Sequence, residues 1–558
     1  HIDSIAQHLM LPAMATFRQA SSLWFLPWLF VDSGLAMVDV LIVGAGQAGM
    51  SAAHELSKLG LSFKVLEAND HVGGRTRNVD VRTGQTDVVS DDVVEIGGTW
   101  LSPAHTSALR LAKELGVDPY NASFIDGNDL EVDMPAEEED WPWYFWGSDY
   151  PKEQTQLLRK SVLFTSAGRH TFRSPAELRE HMARIGAQQE LQLAEELLKE
   201  AQSQLGDQCW TTNGTNVPWR HLDGKTTWSA LGEKLYSVDS RQALRNCIHA
   251  KNAQEPEAVS FLYNLLSFRG CNSNGPDSQF RLRGGTQALP LKLAERLTKR
   301  HGFKRQVVLL RHEVAKVTTM EDGVELSIRG RSRPLRARAT ILTGPPPAIL
   351  KMDFQPPLDS ANAQWLQRMP MGTSLKLAAV YHQGPWWRSD GLQGDILATQ
   401  LPGNLSLPWP DQDVPLFVQC MDHSPFSQEI GVIVCFLEGR QNLHFMQLPR
   451  VEQEGLFLEF LVQSLGSKAK SLRPSFVSHN WADQPFTRGA YTGFFVPGVM
   501  SLPAYWAAFQ QMEKLPNVFL AGSDYHIGFG NGYIEGAIRD GQRAAQKVAL
   551  RLQGTVVV

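Results

Sequence analysis

Val38-Asp39-Val40-Leu41-Ile42-Val43-Gly44-Ala45-Gly46-Gln47-Ala48-Gly49 is the stretch on which the reading of this chain turns. VDVLIV is a short apolar run of the kind a buried strand carries, and it leads straight into a Gly-x-Gly-x-x-Gly turn. Met50 to Leu59 then reads as a helix, with Ala52, Ala53, Leu56 and Leu59 on its packing face. A second strand, Phe63 to Leu66, ends at Glu67. Each glycine has a task. Gly44 permits the tight turn, Gly46 lets backbone N–H groups approach a pyrophosphate, and Gly49 lets the helix pack closely on the sheet. The helix N-terminus adds partial positive charge for the phosphates. Glu67, about 20 residues on, stands where a carboxylate accepts hydrogen bonds from ribose hydroxyls. The unit therefore binds a dinucleotide, and up to this point NAD and FAD are equally served.

The rest of the composition narrows the class. With 558 residues the chain can bury a large core and hold more than one domain. Its 43% hydrophobic and 20% charged content is that of an ordinary globular protein. A formal charge of -5, with no helix-turn-helix, zinc-finger or RNA-binding motif, gives no reason to expect a nucleic-acid partner, and none is expected. Cys209, Cys247, Cys271, Cys420 and Cys435 are scattered and form no CxxC pair, so neither a zinc site nor a disulfide framework is expected. No metal is expected.

The leader, residues 1–36, has two readings. Ser22 to Val31 is an apolar run after Arg18 and before Gly34-Leu35-Ala36, an order loosely that of a signal peptide. A start at His1, with Met37 just ahead of the first strand, suits a vector-derived segment instead. The run is shorter than the roughly 20 residues that span a bilayer. A soluble, cytoplasmic protein is expected, or a secreted one if residues 14–36 are a genuine signal. The sequons at Asn121, Asn213 and Asn404 do not decide the matter.

After Glu67 comes Ala68-Asn69-Asp70-His71-Val72-Gly73-Gly74-Arg75-Thr76. A Gly-Gly-Arg loop just past the ribose acid resembles the second phosphate-contact segment of a large group of FAD oxidases, and Glu95-Ile96-Gly97-Gly98-Thr99-Trp100 resembles their glycine pair near the isoalloxazine ring. Further motifs follow in order: Arg283-Gly284-Gly285-Thr286-Gln287-Ala288-Leu289, Val314 in LLRHEV, Thr343-Gly344-Pro345-Pro346-Pro347, and Met371-Gly372-Thr373-Ser374-Leu375-Lys376. Pro385-Trp386-Trp387-Arg388, Asn480-Trp481, Gly489-Ala490-Tyr491, Leu520-Ala521-Gly522-Ser523-Asp524 and Gly532-Tyr533-Ile534-Glu535-Gly536-Ala537-Ile538 complete the set. From Val38 to Leu552 this ordered series resembles the flavin-containing monoamine oxidase family, in particular its fungal-type members with non-covalent FAD, which include fumonisin-type amine oxidases.

The resemblance implies an α/β fold: a Rossmann-like FAD domain with an interleaved α+β substrate domain. Residues 37–118, 279–355 and 484–553 would form the first, and 119–278 and 356–483 the second. It implies cofactor contacts at Gly44, Gly46, Gly49, Glu67, Ala68, Gly74, Arg75, Gly97, Gly98, Thr99, Trp100, Val314, Trp481, Ala490, Gly522, Ser523, Asp524, Gly532, Tyr533 and Ile534. Arg75 would neutralise the pyrophosphate with its two-pronged guanidinium, and Val314 would meet adenine through its backbone. Asp524 and the N-terminus of a Gly532–Arg543 helix would hold the ribityl chain and the pyrimidine end of the ring.

Three residues are implied in catalysis. Lys376 stands in the apolar run MGTSLKLAAVY, where a charge asks for a reason, and matches the family lysine that reaches flavin N5 through a water. Tyr491 and Tyr533 match the two aromatic residues that flank the substrate nitrogen. The implied reaction is oxidative deamination of a primary amine: hydride transfer to flavin N5, imine hydrolysis, and reduction of O2 to hydrogen peroxide. Ala490 departs from the animal pattern, which has a flavin-linked cysteine there, so FAD is expected without a covalent bond. No membrane-anchoring C-terminal helix is read, and a homodimer is expected.

The substrate is left open among arylalkyl amines, linear alkyl amines and long-chain amino-polyketides of the fumonisin type. Glu137-Glu138-Glu139-Asp140 followed by Trp141-Pro142-Trp143-Tyr144-Phe145-Trp146 reads as a solvated acidic loop or as an entrance wall for cationic amines. An L-amino acid oxidase is the near alternative, but Gly97-Gly98 is followed by Thr99-Trp100-Leu101-Ser102-Pro103 without its carboxylate-binding arginine. Polyamine oxidation and a flavin-dependent desaturase share the scaffold. A flavin-bound chaperone or corepressor component is the non-enzyme alternative; the Pro175–Gln204 stretch, with Ser174 as N-cap, reads as a substrate-domain helix and not as the long tower of histone demethylases.

Overall fold

The computed structural model describes residues 37–121, 159–205, 220–268, 280–300, 306–410, 414–511, 515–526 and 528–554. The leader and the acidic-aromatic segment read above lie outside the described residues, as do Cys209 and Cys271.

Val38–Val43 and Phe63–Leu66 form as read and pair in parallel, Val43 beside Leu66. A strand that runs this apolar is stable only when both its faces are covered, and Val40, Leu41 and Ile42 are fully buried. On its other side Val38–Val43 pairs in parallel with Leu335–Leu342, which in turn takes Val518–Leu520 in parallel. The sheet continues through the antiparallel strands Gly323–Ile328 and Val314–Met320 to Asp353–Gln355, and ends at the opposite edge with Val308–Leu309. It is mixed, with a parallel centre.

The turn helix runs Gln47–Lys58, starting earlier than the apolar periodicity suggests because Gly46 already serves as its N-cap. It packs on the final helix, Ile534–Leu552. Close packing at its base depends on Gly49, where a Cβ would lie 2.0 Å from the Gly44 carbonyl oxygen.

A second sheet, mostly antiparallel, orders Ser475–Asn480, Ser374–Tyr381, Gly431–Glu438, Gln419–Asp422, Leu392–Ala398, Lys160–Thr165 and Gly168–Phe172. Every residue of Ser374–Tyr381 and Gly431–Glu438 is buried, so both faces are covered. Leu375, Leu377 and Ala379 pack with Phe457, Phe460 and Leu461 of the helix Arg450–Leu465. Ala378, Val380, Val434 and Phe436 share the other face with Val94, Trp100 and Tyr491. Strand alternation thereby turns Lys376 towards Trp100 and Phe436, with Nζ 4.9 Å and 5.2 Å from the two ring centroids.

Two expectations need correction. The stretch read as one helix over Pro175–Gln204 is two, Pro175–Arg184 and Ala187–Ser203, because the backbone turns left-handed at Gly186 (φ 77°). Ser174 does cap the first, accepting from the Glu177 N–H. No disulfide was read from the scattered cysteines, yet Cys420 and Cys435 are joined. Strand register sets them opposite each other, a relation that sequence spacing does not disclose.

Candidate active site

A cavity of about 430 Å³, within the range of small-molecule and cofactor sites, runs between the two sheets. One end is built by the dinucleotide turn. Gly44 and Gly46 line it beside Glu67 and Ala68 at the end of the second strand, and Val314 lines it too. Both Glu67 oxygens accept backbone N–H groups, of Ala45 at 2.6 Å and Asn69 at 2.8 Å, while burial pushes the carboxyl above its ordinary pKa. The Gly-Gly-Arg loop clips onto this turn, with the Gly73 N–H donating to Ala45 at 2.9 Å. A Cβ on Gly74 would come within 3.1 Å of the Gly46 Cα, so the paired glycines leave the backbone bare towards the cavity.

Arg75 lines the middle, but its fork is turned on Asp524, with Nη1 2.9 Å and Nη2 2.5 Å from the two carboxylate oxygens. It also donates to the Tyr491 carbonyl at 2.8 Å and to Ser523 Oγ at 3.2 Å. Asp524 takes two more donors, Thr492 Oγ1 at 2.8 Å and the Gly493 N–H at 2.7 Å. Burial alone would raise its pKa; Arg75, together with the Gly493 and Thr492 donors, outweighs burial and holds it low. Asp524 consequently stands behind the wall, as does Gly49, while Gly522 and Ser523 face the cavity. Gly532, Tyr533 and Ile534 also face it, and the helix proper begins at Ile534 and not at Gly532.

Gly97, Gly98, Thr99 and Trp100 form a further wall. Trp481 braces it, donating from Nε1 to the Ile96 carbonyl at 2.9 Å. Lys376 is held against the same loop. Its Nζ donates to the carbonyls of Glu95 at 3.0 Å and Gly97 at 2.8 Å, and to Thr99 Oγ1 at 2.8 Å. Burial pulls its pKa down to about 7, with Glu95 opposing and Arg281 assisting. Ala490, Tyr491 and Tyr533 complete the cavity.

Several lining or supporting groups escape sequence reading. Glu95 is fully buried and bonded to Arg281 Nη2 at 2.8 Å and to His423 Nε2 at 2.9 Å. Burial lowers His423 to about 3, so the neutral imidazole donates and Arg281 supplies the charge that keeps Glu95 ionised. Lys251 Nζ donates to the Tyr533 hydroxyl at 2.5 Å and lies 4.7 Å from that ring's centroid. The Tyr491 hydroxyl donates to Glu438. Cys247 also lines the cavity; burial pushes its thiol up to about 12.

The family model of the flavin containing amine oxidoreductases matches residues 47–549. The chain belongs to that family. Among similar proteins, the flavin-containing amine oxidase of Oncorhynchus mykiss is 26% identical over 520 residues, covering 91% of this chain and 85% of that one. Flavin-containing amine oxidase B of Cavia porcellus is 25% identical over 520 residues, 91% and 86% of the two chains. The fold is shared with cyclohexylamine oxidase from Brevibacterium oxydans (TM-score 0.72, 23% identity, 93% of this chain and 100% of that chain). It is shared too with a putrescine oxidase bound to putrescine (TM-score 0.70, 23% identity, 92% and 99%). The protein is thus an enzyme, a flavin-dependent amine oxidase with the α/β architecture the sequence implied. The bare glycine cradle and the buried Glu67 at one end of the cavity fit the dinucleotide half of FAD. Among the described residues, no helix is long and apolar enough to cross a membrane.

Proposed function

We propose that this cavity holds FAD without a covalent bond and oxidises a primary amine between Tyr491 and Tyr533. The observation that carries the reading is that Lys376 and both tyrosines line the same cavity as the Gly44–Gly46 turn and Glu67. When bound, FAD supplies two-electron acceptance from the amine carbon and reoxidation by O2 to give hydrogen peroxide. The chain's own residues do the rest. Gly46 and Gly74 leave backbone N–H groups open to the phosphates, while Gly44 makes the turn with its own N–H on the Leu66 carbonyl, and Glu67 accepts from ribose hydroxyls with its remaining lone pairs. Arg75 reaches the phosphates electrostatically, from a position fixed by Asp524. Val314 borders the adenine end, and Trp481 stiffens the Gly97–Gly98 loop that faces the ring.

The tyrosine rings present apolar faces that orient the neutral amine. Lys376 places a water near the reacting centre. With a pKa of about 7, its Nζ is neutral for much of the working range; it then keeps two N–H donors for its three loop acceptors, and its lone pair accepts a hydrogen bond from such a water. Ala490 offers no thiol, and Cys247 stays protonated at neutral pH, which supports a flavin held by contacts alone.

Anaerobic mixing with a panel of primary amines, diamines and amino acids tests the reading. Bleaching of the flavin by primary monoamines, then recovery with peroxide on admitting air, is the expected result. Reduction by diamines or amino acids alone would move the assignment to a polyamine or L-amino acid oxidase. Failure of every member of the panel to reduce the flavin would remove the primary-amine assignment.

A further inference from the structure

Glu438 closes the strand Gly431–Glu438 and is 1% exposed. It stands opposite Ser374 in the ladder, as Phe436 stands opposite Lys376, so Glu438 and Phe436 project from the same face of the sheet. That is the face turned to Trp100 and Tyr491. Glu438 Oε1 accepts from the Tyr491 hydroxyl, with Ser374 Oγ at 3.5 Å, and Oε2 is buried with no hydrogen-bond partner. Ser374, Phe436 and Tyr491 line the cavity; Glu438 sits directly behind them.

A carboxyl in such a place is costly. Leucine would satisfy the strand, whereas a buried carboxyl with one strong donor carries a desolvation penalty that packing does not return. Burial raises its pKa to about 8, so the group enters the fold neutral and no cation is needed beside it. What it provides is an anchor. The Tyr491 backbone is held by Arg75 at 2.8 Å, and its ring edge meets Phe436 with centroids 6.3 Å apart and planes at 80°. Neither contact stops the ring axis from swinging about the Cα–Cβ bond. The hydroxyl bond does, because it fixes the far end of the ring.

We propose that Glu438 is a positioning residue for amine oxidation, one that holds the Tyr491 ring at the angle the substrate requires. The inference rests on the reading of Tyr491 as a substrate-flanking ring. It makes the strand end, and not only the cavity wall, part of the machinery.

Stopped-flow reduction of the FAD-loaded enzyme by a primary amine provides the test. Glu438→Leu lowers the limiting reduction rate on the order of 10- to 100-fold, while FAD content and the rate of reoxidation by O2 stay unchanged. Glu438→Gln, which keeps an acceptor for the hydroxyl, restores most of the rate. Tyr491→Phe breaks the same bond from the cavity side and gives a loss like that of Glu438→Leu, which keeps the test available if the leucine variant does not fold. In the Tyr491→Phe background Glu438→Leu has no further effect. An additive loss in the double variant, or a glutamine variant as slow as the leucine one, overturns the proposal. Tyr491→Ala separates the two layers. If it slows reduction while Glu438→Leu and Tyr491→Phe do not, only the positioning role fails; if it leaves reduction unchanged, the reading of Tyr491 falls and the proposal with it.

Discussion

Lys376 Nζ donates to the Gly97 carbonyl at 2.8 Å, and this bond ties the inner strand of the second sheet to the glycine pair on the cavity wall. The two residues lie 279 positions apart. The lysine therefore serves two ends at once, bracing the loop and presenting an amine to the cavity.

Replacement of Lys376 by methionine should leave reduction by amines near its normal rate and slow reoxidation. Loss of one oriented hydrogen bond worth about 1.5–3 kcal/mol corresponds to roughly a 10- to 100-fold change. The pH dependence follows from the direction of the shift. Burial lowers the Nζ pKa to about 7, so the amine is charged below that value and neutral above it. Reoxidation in the wild type should change across pH 6 to 8 with an inflection near 7, roughly where the amine titrates. The methionine variant should show no such inflection. Unchanged reoxidation in the variant would remove the role assigned to Lys376.

The Arg75–Asp524 pair predicts a stability effect coupled to cofactor retention. Asp524 is 1% exposed, and removing one partner of a buried ion pair costs about 3–5 kcal/mol. Asp524→Ala should lower Tm and reduce the flavin bound after gel filtration. Arg75→Lys should do so as well, since an ammonium cannot fill the two-pronged contact. Arg75 holds the Asp524 carboxyl below its ordinary range, so the pair's contribution is fully present at neutral pH. It is lost as the pH falls through the lowered value. The Tm deficit of Asp524→Ala should accordingly shrink in acid; a deficit independent of pH would assign the loss to packing.

Gly49 stands where the first turn of its helix packs against the backbone of the Gly44 turn. A Cβ at 2.0 Å from the Gly44 oxygen meets backbone, which cannot step aside as a side chain can. Gly49→Ala should destabilise by about 1–3 kcal/mol, the usual range for overpacking, and should lower flavin occupancy because the phosphate turn moves with it. A variant with normal Tm and full flavin would refute the close-packing role.

Legibility followed locality. Val38–Val43 and Phe63–Leu66 were readable to the residue because parallel strands buried on both faces are continuous apolar runs. Helix ends were less so: Gly46 begins one helix early, and Gly186 splits another. Lys376 was visible as a charge inside an apolar strand. Glu438 stands at the end of the equally apolar GVIVCFLE, but a terminal glutamate reads as the polar edge of a strand until register sets it opposite Ser374. Glu95, Arg281 and His423 were not legible as a group, since Glu95 is separated from its partners by 186 and 328 positions. Arg75 shows the converse: its residue type pointed to a bidentate contact, but only the fold shows that Asp524 is the partner.

With alanine at position 490, flavin should leave the protein on denaturation. A thioether needs a thiolate beside the ring, and alanine has no sulfur to give. Among the described residues the free cysteine is Cys247, which also lines the cavity. Its thiol, pushed up to about 12 by burial, is almost wholly protonated at neutral pH and is a poor nucleophile in that form. Precipitation of the oxidised holoenzyme in acid should therefore release yellow flavin into the supernatant and leave a colourless pellet. Colour retained by the pellet would contradict non-covalent binding and direct attention to Cys247. Cys247→Ser would then decide the case: loss of the retained colour would identify the linkage, and persistence would place it on another residue.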